Sequence, residues 1–597
     1  MDEQSGSSWK RFRKLKPTSS RIRTNARKLE SATLKHAHRF VLTRFDSIRF
    51  VKRHALGWLL FVGLLISVSA FQLLGYQRSY STYASIPGGT FAEGVVGPLE
   101  TMNPIFARTS AEQSASRLLF SSLLSYDSTT YLRGEIAESW RAEDEGRQYV
   151  VNLKNDVYWH DGKKVTADDV VYTINMIKNP LVRSPLYSSW AQVKVTKLSD
   201  LSVRFDLVRP YAAFPHALTF GILPKHILGS TAPERLRESD FNRQPVGSGP
   251  FIFSRLQVLD PDEGRSIVYM EKNPAYVKGA PKLDRFQLHI FKDSSAIHQA
   301  FIRQEINAGV DLTSAELKNI SEERPTSIIY QTLISDGMYA FMRNDAPEFS
   351  DPVVRKAFVL GTDRMALIDR LHGYASRLDG PLTLHQLPSA LQKRQASFDN
   401  AQAAALLEQA GWKLDGQKRV KDGVPLEIDL VSVQSGDYPV IVDELKQQWG
   451  RLGAKVNTRL VNPNDVQQTV LLPRSYDAFV YELELGADPD VFAYWHLSQA
   501  DPRGLNLSNY KSAIASETLS SAQLRLEMSA RLPKYEAFTD AWIADSPAIA
   551  LYQPQIHYVS SADTQMLSSA NTLASRTDRY RAVELWTVDK NWKYNSP

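Results

Sequence analysis

Residues 147–174 read RQYVVNLKNDVYWHDGKKVTADDVVYTI. Arg147–Lys154 partly alternates apolar and polar side chains, the period of a strand. Tyr158-Trp159-His160-Asp161-Gly162 ends in an Asp-Gly turn. Thr166 stands three residues before Asp169, an acidic form of the capping box, and Val170, Val171 and Ile174 follow at helical spacing. A strand, a turn and a capped helix in one short stretch predict a body of mixed α/β or α+β architecture.

The same signals recur downstream. Asp399 precedes Gln402 and opens a helix carrying Ala403, Leu406, Leu407 and Ala410, with Gly411 as its C-cap signal. Ile441, Leu445, Gln448, Trp449 and Leu452 lie at helical spacing and are followed by Gly453. Val456, Thr458 and Leu460 then alternate as a strand. No fixed internal period appears, which argues against a repeat protein.

The chain has 597 residues, 43% hydrophobic and 23% charged. That is too long for one compact domain, so two or more lobes are expected. There is no cysteine. This excludes disulfides, thiolate metal sites, a cysteine nucleophile and a lipidated cysteine anchor, and says little about compartment.

The net charge of +6 is unevenly spread. Residues 1–54 hold fifteen Lys/Arg against four acids, a net of +11; the remaining chain carries 56 basic and 61 acidic residues, a net of −5. The basic pI therefore describes a tail. Residues 55–77, ALGWLLFVGLLISVSAFQLLGYQ, carry no charge. As a helix they rise about 35 Å, enough to cross a hydrocarbon core of about 30 Å. Trp58 and Tyr76 stand near the two ends, and Lys52, Arg53 and His54 directly precede the run, so the tail is expected inside and the body outside. Cleavage after Val68-Ser69-Ala70 is the alternative to an uncleaved anchor. A basic region of some fifty residues is far longer than that of a signal peptide and favours the anchor. The tail reads as a topology signal resting on anionic headgroups, with no nucleic-acid motif. Residues 78–87 read as a linker.

Catalytic signatures are missing from the sequence. It contains no Walker motif, no H-E-x-x-H and no G-x-S-x-G. Gly247-Ser248-Gly249 is a turn signal. His160-Asp161 could be an acid–base pair, but a hairpin turn explains it better. No enzyme, cofactor or metal site is expected.

Beyond residue 87 a series of ordered motifs resembles the extracytoplasmic solute-binding proteins of dipeptide and oligopeptide ABC importers. Met102-Asn103-Pro104 follows the first strand. Leu119–Asp127 resembles an "LL-YD" helix and turn, Ala137-Glu138-Ser139-Trp140 an "AESW" segment, and Asp161–Val170 a "DG-x-x-(hydrophobic)-TA-x-DV" block. Pro245–Phe251 matches "P-V-G-(S/T)-G-P-(F/Y)". Phe349–Asp363, Asp399–Trp412 and Ser546–Tyr552 resemble three later helix and strand motifs. Each is weak alone; their order over some five hundred residues is not.

The resemblance implies a two-lobed periplasmic-binding-protein-like fold. Lobe I would span 88–310 with an extra subdomain near 105–230, lobe II 311–559, and 560–597 would return to lobe I. The lobes would close over a ligand by a hinge motion. It implies no cofactor, and a short peptide as ligand. A nickel complex, an opine or an oligosaccharide are alternatives on the same fold, and a ligand-sensing receptor is an alternative of another class. Partners would be a separate permease with its ATPases, and lipid through residues 55–77 and the tail. No nucleic acid and a monomer are expected.

A bound peptide needs a carboxylate for its ammonium, because an unpaired buried charge is costly. By resemblance that group is Asp488, with Asp490 or Glu484 as alternatives, and with the reading of Asp488 as an N-cap set against it. The backbone of Leu485, Gly486 and Ala487 would pair with the ligand, opposite a strand formed by Phe106, Ala107 and Arg108. Tyr339, Tyr481 and Trp495 are candidate pocket aromatics, with core packing the commoner fate of each.

Overall fold

The computed structural model describes residues 45–261, 263–566 and 572–594. It divides into two compact units, Met1–Ala84 with Trp592–Pro597, and Ser85–Asn591. Residues 1–44, most of the basic tail, lie outside the described residues.

In the first unit one helix spans Phe45–Tyr80. Its window His54–Leu73 has a mean hydropathy of 2.0 and no buried residue. An apolar surface of this length with no protein against it is what a lipid-facing helix presents. The expected linker at 78–87 is corrected. The helix runs on to Tyr80, and Ser81–Ile86 is a strand, in keeping with its Thr, Tyr and Ile.

The second unit holds two large sheets. The first has seven strands, in the order Ile328–Tyr330, Tyr558–Ser560, Ala308–Gly309, Thr90–Val96, Arg285–Phe291, Arg265–Lys272, Phe251–Asp260. Thr90–Val96 runs parallel to both neighbours, and the other pairs are antiparallel. The second has six strands, in the order Ala375–Arg377, Ala548–Pro554, Asp336–Met342, Ala478–Glu484, Glu427–Val433, Lys455–Val461. All seven residues of Asp336–Met342 are buried. Strand side chains alternate faces, so Met338, Ala340 and Met342 enter one core while Tyr339 and Phe341 enter another.

A third, four-stranded antiparallel sheet spans Ala137–Asp206 and packs into the first lobe's core. Beside it the helix Ala167–Lys178 starts where Thr166 and Asp169 place it. The Thr166 N–H donates to Asp169 Oδ2 at 2.9 Å, and Asp169 Oδ1 accepts from the Lys225 N–H at 2.8 Å.

Strand pairing moves the lobe boundaries. Ala308–Gly309 and Ile328–Tyr330 belong to the first sheet, and Leu317 and Ile320 of the helix Ser314–Glu323 pack beneath it. The first lobe therefore runs to about residue 330 rather than 310. The chain crosses at 331–335 and returns at 554–557. These two segments bond to one another, Ile334 N–H to Pro554 C=O at 3.0 Å and Ile556 N–H to Thr332 C=O at 2.8 Å.

The Pro245–Phe251 block has a steric reason. A Cβ on Gly247 would collide with the Leu119 carbonyl, and one on Gly249 would come 2.5 Å from the Leu119 carbonyl carbon. Glycine lets the turn approach that backbone. His160 closes the turn: its Nδ1 accepts from the Gly247 N–H at 3.1 Å, and its Nε2–H donates to the Gly249 carbonyl at 3.2 Å. Burial pushes this imidazole down to about 4, and it stays neutral. His160 and Asp161 are thus turn residues, Asp161 pairing instead with His226 at 2.7 Å.

Candidate functional site

Two adjoining cavities lie between the lobes, of about 320 and 270 Å³. They share Glu484 and Arg576, and each is near the lower end of the ~300–1,000 Å³ usual for a ligand site. The first is walled by Asp311, Tyr374, Asp437, Tyr438, Tyr481, Glu482, Tyr552 and His557 among others. The second is walled by Arg117, Ser125, Tyr126, Asp336, Leu485, Gly486 and Asp578 among others.

The strand Ala478–Glu484 brings two acids to this cleft, because Glu482 and Glu484 lie two residues apart and share a sheet face. Asp336 sits directly opposite Glu484 on the neighbouring antiparallel strand, and Met338 opposite Glu482. Like charges placed opposite one another repel. One guanidinium answers them: Arg576, from the C-terminal return to the first lobe, pairs with Glu482 Oε1 at 2.5 Å. The Glu482 charge raises Arg576 further above its ordinary range.

Asp336 is 2% exposed, and its Oδ1 has no hydrogen-bond partner. Burial, then the neighbouring Glu482, pushes its carboxyl well up. Glu484 opens to solvent within the cleft but is otherwise enclosed by protein, and desolvation raises its carboxyl too. The other acids are held by neutral donors. Asp437 accepts from the Ser314 N–H and hydroxyl at 3.2 and 2.6 Å, Asp578 from those of Ser575 at 2.7 and 3.1 Å, and Asp311 from the Val96 N–H at 3.2 Å. Arg117 is committed to the fully buried Glu135 at 3.0 Å.

Of the residues expected from sequence, Glu484, Leu485, Gly486 and Tyr481 line the cleft. Tyr481 stacks on Tyr438, centroids 6.3 Å apart. The expected pairing of the 485–487 backbone with a ligand needs correction, because the Leu485 and Gly486 N–H groups both donate to the Ser335 carbonyl, at 3.0 and 2.9 Å. The carbonyls of Gly486 and Asp488 accept from Gln386 Nε2, each at 3.0 Å. Ala487 is half-buried and lines neither cavity.

Asp488 lies outside both cavities and is already paired. Arg531 holds both its oxygens, Nη1 to Oδ2 at 2.7 Å and Nη2 to Oδ1, and His216 Nε2 lies 3.6 Å from Oδ2. It is not an N-cap either, since Val491 takes that position for Phe492–Trp495. Asp490 is spent on the Phe492 N–H at 3.2 Å and Gln523 at 2.8 Å.

Tyr339 and Trp495 are fully buried and pack edge-on against each other, 5.6 Å between centroids. They are core, not pocket. Phe106 is likewise buried, with Arg237 over its ring at 4.4 Å. Residues 106–108 form a turn and coil in place of the expected strand, and Ala107 and Arg108 line neither cavity.

Sequence reasoning missed Asp336, Asp437, Glu482, Arg576 and His557. The Tyr-Glu-Leu-Glu alternation at 481–484 was the one local signal, since period two puts both acids on one face. Arg576 lies 94 residues from Glu482 in the chain and left no such trace.

The chain is similar over 487 residues to the oligopeptide-binding protein AppA of Bacillus subtilis, 28% identical, covering 79% of this chain and 87% of that one. A solved structure of Bacillus subtilis AppA in complex with a nonapeptide superposes with a TM-score of 0.70 at 25% identity, over 85% of this chain and all of that one. NikZ of Campylobacter jejuni in complex with Ni(L-His) gives 0.70 at 26%, over 83% and 99%. Residues 132–503 match the model of the bacterial extracellular solute-binding proteins, family 5. A two-lobed α/β body whose cleft is walled from both lobes accords with that match, and the chain belongs to the family 5 bacterial extracellular solute-binding proteins.

Proposed function

We propose that this protein captures short peptides in the cleft between its lobes, outside the cell, and delivers them to a separate ABC permease. The observation that carries this reading is Glu484. It is a carboxylate at the junction of the two cavities, raised by desolvation, and the guanidinium that acts on it, Arg576, is bridged to Glu482 instead. A peptide ammonium supplies the missing charge. This moves the ammonium-holding role from Asp488, which Arg531 occupies, to Glu484. Similarity to an oligopeptide-binding protein supports the same ligand class.

The lobes close by a hinge at 331–335 and 554–557, the two segments that join them. The helix Phe45–Tyr80 holds the body to the membrane, with the basic tail on the cytoplasmic side against anionic lipid. No chemistry is performed on the ligand.

Calorimetry of the detergent-solubilised full chain with a pool of two- to five-residue peptides tests this reading. Binding is expected, and Glu484→Gln should weaken it by about tenfold, the loss of one charge-assisted contact. No heat and no thermal stabilisation with any peptide would remove the peptide from the account.

A further inference from the structure

Six carboxylates wall the cleft: Asp311, Asp336, Asp437, Glu482, Glu484 and Asp578. Two guanidiniums face them, and both are already engaged, Arg576 by Glu482 and Arg117 by Glu135. Arg576 also acts from farther off on Asp336, Asp311 and Glu484, so one guanidinium serves four of these acids. For Asp437 the cationic candidate is His557, whose Nδ1 lies 3.8 Å away. That same nitrogen is 2.7 Å from the Leu312 carbonyl, so it carries a proton and donates it there.

A second observation comes from Asp336. It is all but fully buried, it forms part of the wall of the 270 Å³ cavity, and its Oδ1 lacks a partner. Directly across the strand pair stands Glu484. Two acids in register at a sheet end destabilise the empty protein. Placing them where a ligand enters makes sense if the ligand brings the compensating charge.

A zwitterionic peptide cannot do this. Its ammonium adds one positive charge and its carboxylate one negative, so the net charge of the cleft is unchanged. A lysine or arginine side chain, with no second acid beside it, shifts the balance. We infer that the cleft selects peptides that carry a basic side chain in addition to their terminal ammonium, through the acidic wall centred on Asp336 and Glu484. This rests on the peptide reading above and narrows it.

The test uses the full chain in detergent at low salt, with three matched tripeptides: Ala-Lys-Ala, Ala-norleucine-Ala and Ala-Glu-Ala. Norleucine keeps the lysine stem and removes the charge. The lysine peptide is expected to bind about tenfold or more tighter than the norleucine one, and the glutamate peptide weakest. The gap should narrow as salt rises. In Asp336→Asn and Glu484→Gln the lysine-to-norleucine ratio should fall several-fold. Equal affinity for the lysine and norleucine peptides would overturn the selectivity while leaving peptide binding intact. A ratio unchanged in both variants would equally overturn it, because the selecting groups would lie elsewhere. Absence of binding by all three would remove this inference together with the peptide reading.

Discussion

Asp336 and His160 show what single side chains contribute. Asp336 is a buried carboxylate facing like charge, so its folded-state affinity for a proton exceeds that of the unfolded chain. The stability it contributes is therefore present at low pH and is lost as pH rises through its folded-state value. Asp336→Asn keeps the shape and removes the charge. We expect it to raise the unfolding free energy at pH 7 by about 1–3 kcal/mol and to flatten the decline above pH 4, both measurable by urea denaturation across pH. His160 works in the opposite direction. Its imidazole is held down to about 4 against an unfolded value near 6.5. The unfolded chain takes up this proton first, so stability should fall as pH drops from 6.5 to 4. His160→Ala leaves the Gly247 N–H without its partner, while the Gly249 C=O keeps Asn273 Nδ2 at 2.9 Å, and should destabilise by about 1–3 kcal/mol. Both residues could be read from sequence only as types. What surrounds Asp336 is set by cross-strand register, which no local pattern announced.

At the scale of elements, legibility followed the reach of each signal. Helices whose caps lie within four residues were readable. Asp399 accepts from the Gln402 N–H at 2.9 Å as expected, and Gly411 follows the helix at φ 91°. The helix Tyr438–Arg451 buries Ile441, Leu445, Gln448 and Trp449, the stripe its spacing foretold. Where an aromatic sits on a strand buried on both faces, alternation cannot say which face is core and which is cleft, and so Tyr339, a core residue, stood among the pocket candidates with core packing as its commoner fate. The resemblance that singled out Asp488 misled for another reason. An aspartate in the right order along the chain carries no information about Arg531, 43 residues on. Two predictions belong here. Gly247→Ala drives a methyl into the Leu119 carbonyl and should cost about 1–3 kcal/mol or more by calorimetry. Removing residues 1–80 should move the protein from the membrane to the soluble fraction on centrifugation, since Ser85–Asn591 forms its own compact unit. Continued sedimentation with the membrane would argue against the helix as the sole tether.

For the binding body as a whole, the fold was legible from ordered motifs, while the cleft had to be seen. The site is assembled from the ends of Ala478–Glu484 and Asp336–Met342 in one lobe and the return segment at Arg576 in the other. Arg576 with Glu482, and His216 with the Asp488–Arg531 pair, bridge the two lobes. Similar proteins hold a nonapeptide in one case and Ni(L-His) in another, so the fold alone does not choose the ligand. In the proposal made above charge does the choosing: six cleft carboxylates face two guanidiniums, and a cationic ligand redresses the balance. The most direct measurement is mass spectrometry of whatever small molecule accompanies the full chain when it is purified from its membrane and then denatured. The account predicts short linear peptides, enriched in lysine and arginine. A metal complex, a sugar or an opine in their place would contradict it.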